Sequence, residues 1–139
     1  MRDISRDEKG KFILEQYKRY MFNNNFIKIL EYMSNGISLL GESVGYIFAK
    51  DCDEEDDYSF DKGVMFYFRD ERIIISDEEF YEWIKKTTKL YNKIFLYKNK
   101  GPKLNDEDRN ILIRISTLIR KIVNQLDINK SENDWFEIW

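Results

Sequence analysis

Gly63-Val64-Met65-Phe66-Tyr67-Phe68-Arg69-Asp70-Glu71-Arg72-Ile73-Ile74-Ile75-Ser76-Asp77-Glu78-Glu79-Phe80 is the stretch whose reading decides the fold. Two aromatic and β-branched runs, Val64 to Phe68 and Ile73 to Ile75, flank four polar residues, the pattern of a β-hairpin. Both runs are almost continuously apolar, which predicts that both faces of the strands are covered, with helices packed on the sheet. Ser76-Asp77-Glu78-Glu79 then reads as a capping box. In that motif the Ser hydroxyl accepts from the third helical N–H while the Glu carboxylate takes the N–H of the cap residue. The helix it opens carries Phe80, Trp83, Ile84, Thr87, Leu90, Tyr91, Ile94 and Phe95 along one stripe, with Lys85, Lys86, Lys89 and Lys93 opposite.

Working outward, Lys98 to Pro102 ends that helix with cations, Gly and Pro. Asn105 with Asp106, Glu107 and Asp108 repeats the start signal for a long helix whose buried face is Ile111, Leu112, Ile115, Leu118, Ile119, Ile122, Val123 and Leu126. Upstream, Phe12, Ile13, Tyr17, Tyr20 and Met21 predict a helix from about Glu8 to Phe22. The Asn23 to Asn25 triple ends it and offers an N-cap for a short helix carrying Phe26, Ile29, Leu30 and Met33. Asn35-Gly36 stops that one, and a Gly-punctuated loop leads to a strand from Val44 to Ala49. The sum is an α+β domain: a small antiparallel β-sheet of about three to four strands, including the hairpin, packed with about four α-helices. Residues 1–139 read as a single domain. The segment 129–139, ending Trp135-Phe136-Glu137-Ile138-Trp139, is expected to dock on the body, with an extra edge strand as one form this takes and a partner contact as the alternative.

Composition excludes a great deal. The 139 residues hold no His and one Cys, with 42% hydrophobic and 16% aromatic side chains. Without His there is no Ser-His-Asp triad, no Cys-His pair and no H-E-x-x-H zinc site. Cys52 forms no internal disulfide, and its carboxylate neighbours disfavour the thiolate. Gly36 to Ser43 matches the spacing of a phosphate-binding loop, but Glu42 stands where that loop needs Lys. Asp51-x-Asp53-x-Glu55 imitates a calcium loop but lacks its Gly at position six and its Glu at position twelve, where Asp56 and Lys62 stand. No cofactor is implied. The chain opens without an apolar signal core, and its apolar runs are far below membrane-spanning length. The expectation is a cytoplasmic protein with no membrane partner.

Net charge is −3. Residues 51–82 hold thirteen acids against Lys62, Arg69 and Arg72, and the rest of the chain holds twenty bases against thirteen acids. An acidic segment of this density repels nucleic acid and suits a basic protein, or else only a solubilising loop. The acids of Asp77 to Glu79 and Asp106 to Asp108 are explained as helix N-terminus stabilisers, although the first set could also extend the acidic surface. Tyr58, inside the carboxylate run, is placed at the surface, and Phe60 in the core.

Phe26-x-x-Ile29-Leu30-x-x-Met33-x-x-Gly36, then Gly41-Glu42-x-Val44-Gly45-x-Ile47-Phe48, Phe60-x-x-Gly63-Val64-x-Phe66, and Ile75-Ser76-x-x-Glu79-Phe80 with Tyr91 resemble immunity proteins of bacterial contact-dependent growth inhibition (CDI) systems, of the class paired with ribonuclease toxins. The likeness spans roughly residues 20 to 95. It implies a protein that binds and neutralises the C-terminal nuclease domain of a cognate toxin and catalyses nothing. The toxin's basic, RNA-binding cleft would face Asp53, Glu54, Glu55, Asp56, Asp57, Tyr58 and Asp61, helped by Asp70, Glu71, Glu78 and Glu79. The alternatives are an adaptor or regulatory domain with an acidic protein-binding face, and a carboxylate metal-dependent nuclease.

Overall fold

The structure is a computed structural model, which describes residues 6–52, 60–95 and 105–128. Among the described residues four helices, α1 (Arg6–Asn23), α2 (Phe26–Ser34), α3 (Asp77–Phe95) and α4 (Asp106–Gln125), accompany four strands, β1 (Leu39–Leu40), β2 (Val44–Phe48), β3 (Val64–Phe68) and β4 (Glu71–Ile75). The strands form one antiparallel meander in the order β1-β2-β3-β4. The expected α+β class is the one found.

Local chemistry fixes the element ends. The Asn25 side chain accepts from Lys28 N at 3.1 Å, and that of Asn105 from Asp108 N at 2.8 Å, so each satisfies an orphan donor of the helix it opens. The capping box closes as expected: Glu79 N donates to Ser76 Oγ at 3.1 Å, and Ser76 N donates to Glu79 Oε1 at 3.0 Å. The hairpin is tighter than the sequence pattern suggests. Phe68 pairs with Glu71, which leaves a two-residue turn of Arg69 and Asp70, with Arg69 at φ 56°. β1 was not expected from the sequence, where its two residues read as loop. It exists because Leu39 and Leu40 find ladder partners in Tyr46 and Gly45. Gly45 is required there, since the Tyr67 ring and the Leu39 carbonyl occupy the place a Cβ would take.

Alternation divides each strand between two faces. Tyr46, Phe66 and Ile73 face the core, together with Phe48, Val64 and Ile75. Tyr17 of α1 meets Tyr46 and Phe66 edge-on, with ring centroids 5.6 and 5.3 Å apart. Phe80 and Trp83 of α3 close on Phe66 at 6.0 and 5.0 Å. The buried face of α4, from Leu112 to Leu126, completes the cluster. Burial pushes the Tyr17 and Tyr46 hydroxyls well above the usual tyrosine range, and Tyr46 Oη donates to the Ile37 carbonyl at 2.7 Å. The Arg114 guanidinium of α4 donates to Glu31 of α2 and holds that carboxyl below the usual carboxylate range.

One expectation holds in part. The contacts of the described helices fall on one face of the sheet, while on the other face Ile47 and Met65 are buried and Ile74 is exposed. The stripe of α3 ends early: Ile94 and Phe95 are exposed, as is Phe12 of α1. The expected docking of 129–139 lies outside the described residues.

Candidate functional site

At one end of the sheet, β3 begins where β4 finishes. Gly63 makes this junction possible. Its φ of +96° is open to glycine at little cost, and the Ile75 carbonyl lies where a side chain would begin. The Ala49 N–H donates to the Gly63 carbonyl at 3.3 Å, bringing a short 3₁₀ turn (Ala49–Asp51) alongside. The start of α3 follows directly from β4, and the end of α4 returns to it, with Asp127 N donating to Asp77 Oδ2 at 2.8 Å.

These four segments enclose a cleft of about 730 Å³. Its charged lining is Asp61, Asp77, Glu78, Glu79 and Asp127 against Lys50 and Lys62. Glu79 is held by the capping box and Asp77 by the Asp127 amide, whereas Asp61 and Glu78 project as exposed groups. The N-terminal dipole of α3 favours the carboxylates gathered there. Ser38 Oγ donates to Asp51 Oδ2 at 2.5 Å and accepts from Phe48 N at 2.9 Å, which fixes the 3₁₀ turn to the body.

The site residues expected from sequence therefore divide. Asp61, Glu78 and Glu79 share the cleft. Asp53, Glu54, Glu55, Asp56, Asp57 and Tyr58 lie outside the described residues, although described residues on either side of them, Lys50 and Asp61, line the cleft. Asp70 and Glu71 are elsewhere. They sit at the tip of the hairpin, separated from the cleft by the five residues of β4, about 14 Å of extended chain. There Glu71 pairs with Lys9 at 3.0 Å, and the Arg69 guanidinium lies 5.1 Å from the Phe68 ring centroid. A groove of about 480 Å³ opens beside the tip on the second face of the sheet, lined by Leu40, Ile47, Met65, Tyr67 and the turn.

Sequence reasoning left Asp127 out of the site. No local signal marks it: it follows the last turn of a helix, and only the contact between α4 and α3 carries it to the cleft. Asp77 read as a helix stabiliser that could also extend the acidic surface, and it does stand in the first turn of α3 while also lining the cleft. Among the described residues, no group of three or more His, Cys, Asp or Glu side chains could hold a metal ion. Nor is any described helix long and apolar enough to cross a membrane.

The family described as "CDI immunity protein" matches residues 9–101. The chain belongs to that family. The matched span runs from α1 through the sheet and α3, and it stops before α4. No curated protein and no solved structure matches the chain. Family membership gives this immunity protein its role, which is to bind a cognate toxin; proteins of this kind are in general not enzymes.

Proposed function

We propose that this immunity protein neutralises a CDI ribonuclease toxin in the cytoplasm by presenting the cleft at the start of α3 to the toxin's basic, RNA-binding surface. The observation that carries the reading is the convergence of five carboxylates from three separate stretches of chain on one concave site. Acids that only keep a protein soluble have no reason to gather in a concavity, where mutual repulsion opposes them. The described chain on either side of residues 53–59, at Lys50 and Asp61, lines this cleft, which supports assigning Asp53, Glu54, Glu55, Asp56, Asp57 and Tyr58 to the same toxin-facing surface. Asp70 and Glu71 act from the far end of the hairpin, contributing only to long-range steering.

Charge complementarity of this kind acts mainly on the association rate. With the toxin domain encoded beside this protein as the probe, Asp61→Lys combined with Glu78→Lys should slow association about 10- to 100-fold at low salt and flatten its salt dependence. Asp70→Lys with Glu71→Lys should have a smaller effect. An unchanged rate and unchanged salt dependence in the first variant would sink the reading. Glu79 is avoided in this test because its loss would also open the capping box.

A further inference from the structure

The second face of the sheet poses a problem of burial. Ile47, Met65 and Ile74 are cross-strand neighbours in one row over β2, β3 and β4. Ile47 is 4% exposed and Met65 2%, while Ile74 on the edge strand is 38% exposed; neither Ile47 nor Met65 belongs to the core cluster, and the helix contacts described above fall on the opposite face. One row nearer the hairpin tip, the same face is open, with Leu40 69% exposed. Burial of Ile47 and Met65 beside an open row requires a covering segment at that end of the sheet, one that leaves Ile74 at its margin.

We propose that residues 129–139 supply that cover, seating the side chains of Trp135, Phe136, Ile138 and Trp139 over the row of Ile74, Met65 and Ile47. Position argues for it first. Ile128 packs against the core, and the preceding residue, Asp127, is bonded to Asp77 just beyond the end of β4, so the chain departs beside Ile74. Reach is ample, since eleven residues extend up to about 36 Å, whereas β4 to β2 is about 10 Å. Composition decides among the alternatives. Residues 53–59 hold five carboxylates in seven positions, and seating them on Ile47 and Met65 would strip their water without recompense. Residues 96–104 carry three lysines and follow α3, whose nineteen residues lead about 28 Å away from β4. Residues 1–5 offer only Met1 and Ile4 as apolar groups. The four large apolar side chains of 135–139 are the ones sized to close this surface.

Peroxide oxidation read residue by residue by mass spectrometry tests the assignment, because methionine oxidises according to its exposure. In the full chain Met65 should resist as Met21 and Met33 do, all three being buried. In Trp135→Ser/Phe136→Ser/Trp139→Ser, Met65 should oxidise about tenfold faster while Met21 and Met33 stay protected. Met65 remaining protected in that variant overturns the proposal, as does its release when 53–59 is replaced by Gly and Ser instead. Should Met21 and Met33 oxidise together with Met65, marking loss of the fold, fluorescence of the otherwise native Trp83→Phe chain decides. Emission from Trp135 and Trp139 that is blue-shifted, shielded from acrylamide and red-shifted by Met65→Ser supports the docking. Emission like that of tryptophan in water overturns it.

Discussion

The two ends of the β3–β4 ribbon are both acidic in sequence and are built in opposite ways. At the cleft end, carboxylates from the loop at residue 61, the start of α3 and the residue after α4 face one cavity, and two lysines offset them only in part. At the tip, Asp70 and Glu71 are flanked by Arg69 and Arg72, and Glu71 is already paired with Lys9. The acid count per residue is similar, but the field each end presents to a partner differs. Charge that packing gathers on one concave surface adds up, whereas charge interleaved with bases at an exposed turn is neutralised locally and screened by salt.

The contrast extends to the backbone. Both ends of the ribbon carry a residue at positive φ, Gly63 at the cleft and Arg69 at the tip, and the largest expected effect comes from the former. Gly63→Ala should lower stability by about 1–3 kcal/mol in urea denaturation, because the strained φ is compounded by the Ile75 carbonyl. It should also disturb the cleft. Arg69→Gly is expected to change the unfolding free energy by less than about 0.5 kcal/mol in the same measurement. Relief of the left-handed conformation is offset by greater freedom of the unfolded chain and by loss of the contact with Phe68. Glu71→Gln should do least, leaving the unfolding free energy without measurable change: its pair with Lys9 is well exposed, with side-chain exposures of 58% and 36%, and many such surface pairs contribute nothing measurable. Equal losses for Gly63→Ala and Arg69→Gly would erase the distinction between the two ends.

Most of the helical framework was legible in the sequence because its determinants are local. Asn25, Asn105 and the Ser76/Glu79 box mark helix starts by hydrogen bonds that reach only three residues. The hairpin was legible for the same reason, since Val64 to Phe68 and Ile73 to Ile75 lie close along the chain. The family resemblance, drawn over roughly residues 20 to 95, falls within the span 9–101 that the family matches. What sequence missed depends on distant partners. β1 is two residues long and exists only through its pairing with β2. Ile94 and Phe95 continue the apolar stripe but stay exposed, Phe95 being covered in part by the Phe22 ring of α1.

The sequence by itself determined the element types, the capping chemistry, the absence of histidine and the uneven distribution of charge, because each is a property of a residue or its near neighbours. Only the tertiary structure decided which acids act together. Asp127 and Asp77 lie fifty residues apart and meet through one 2.8 Å hydrogen bond, while Asp61 and Asp70, nine residues apart, are sent to opposite ends of a strand. Extended backbone separates what the sequence places close together, and helix packing joins what it places far apart, so a surface of like charge can be located only once the fold is known.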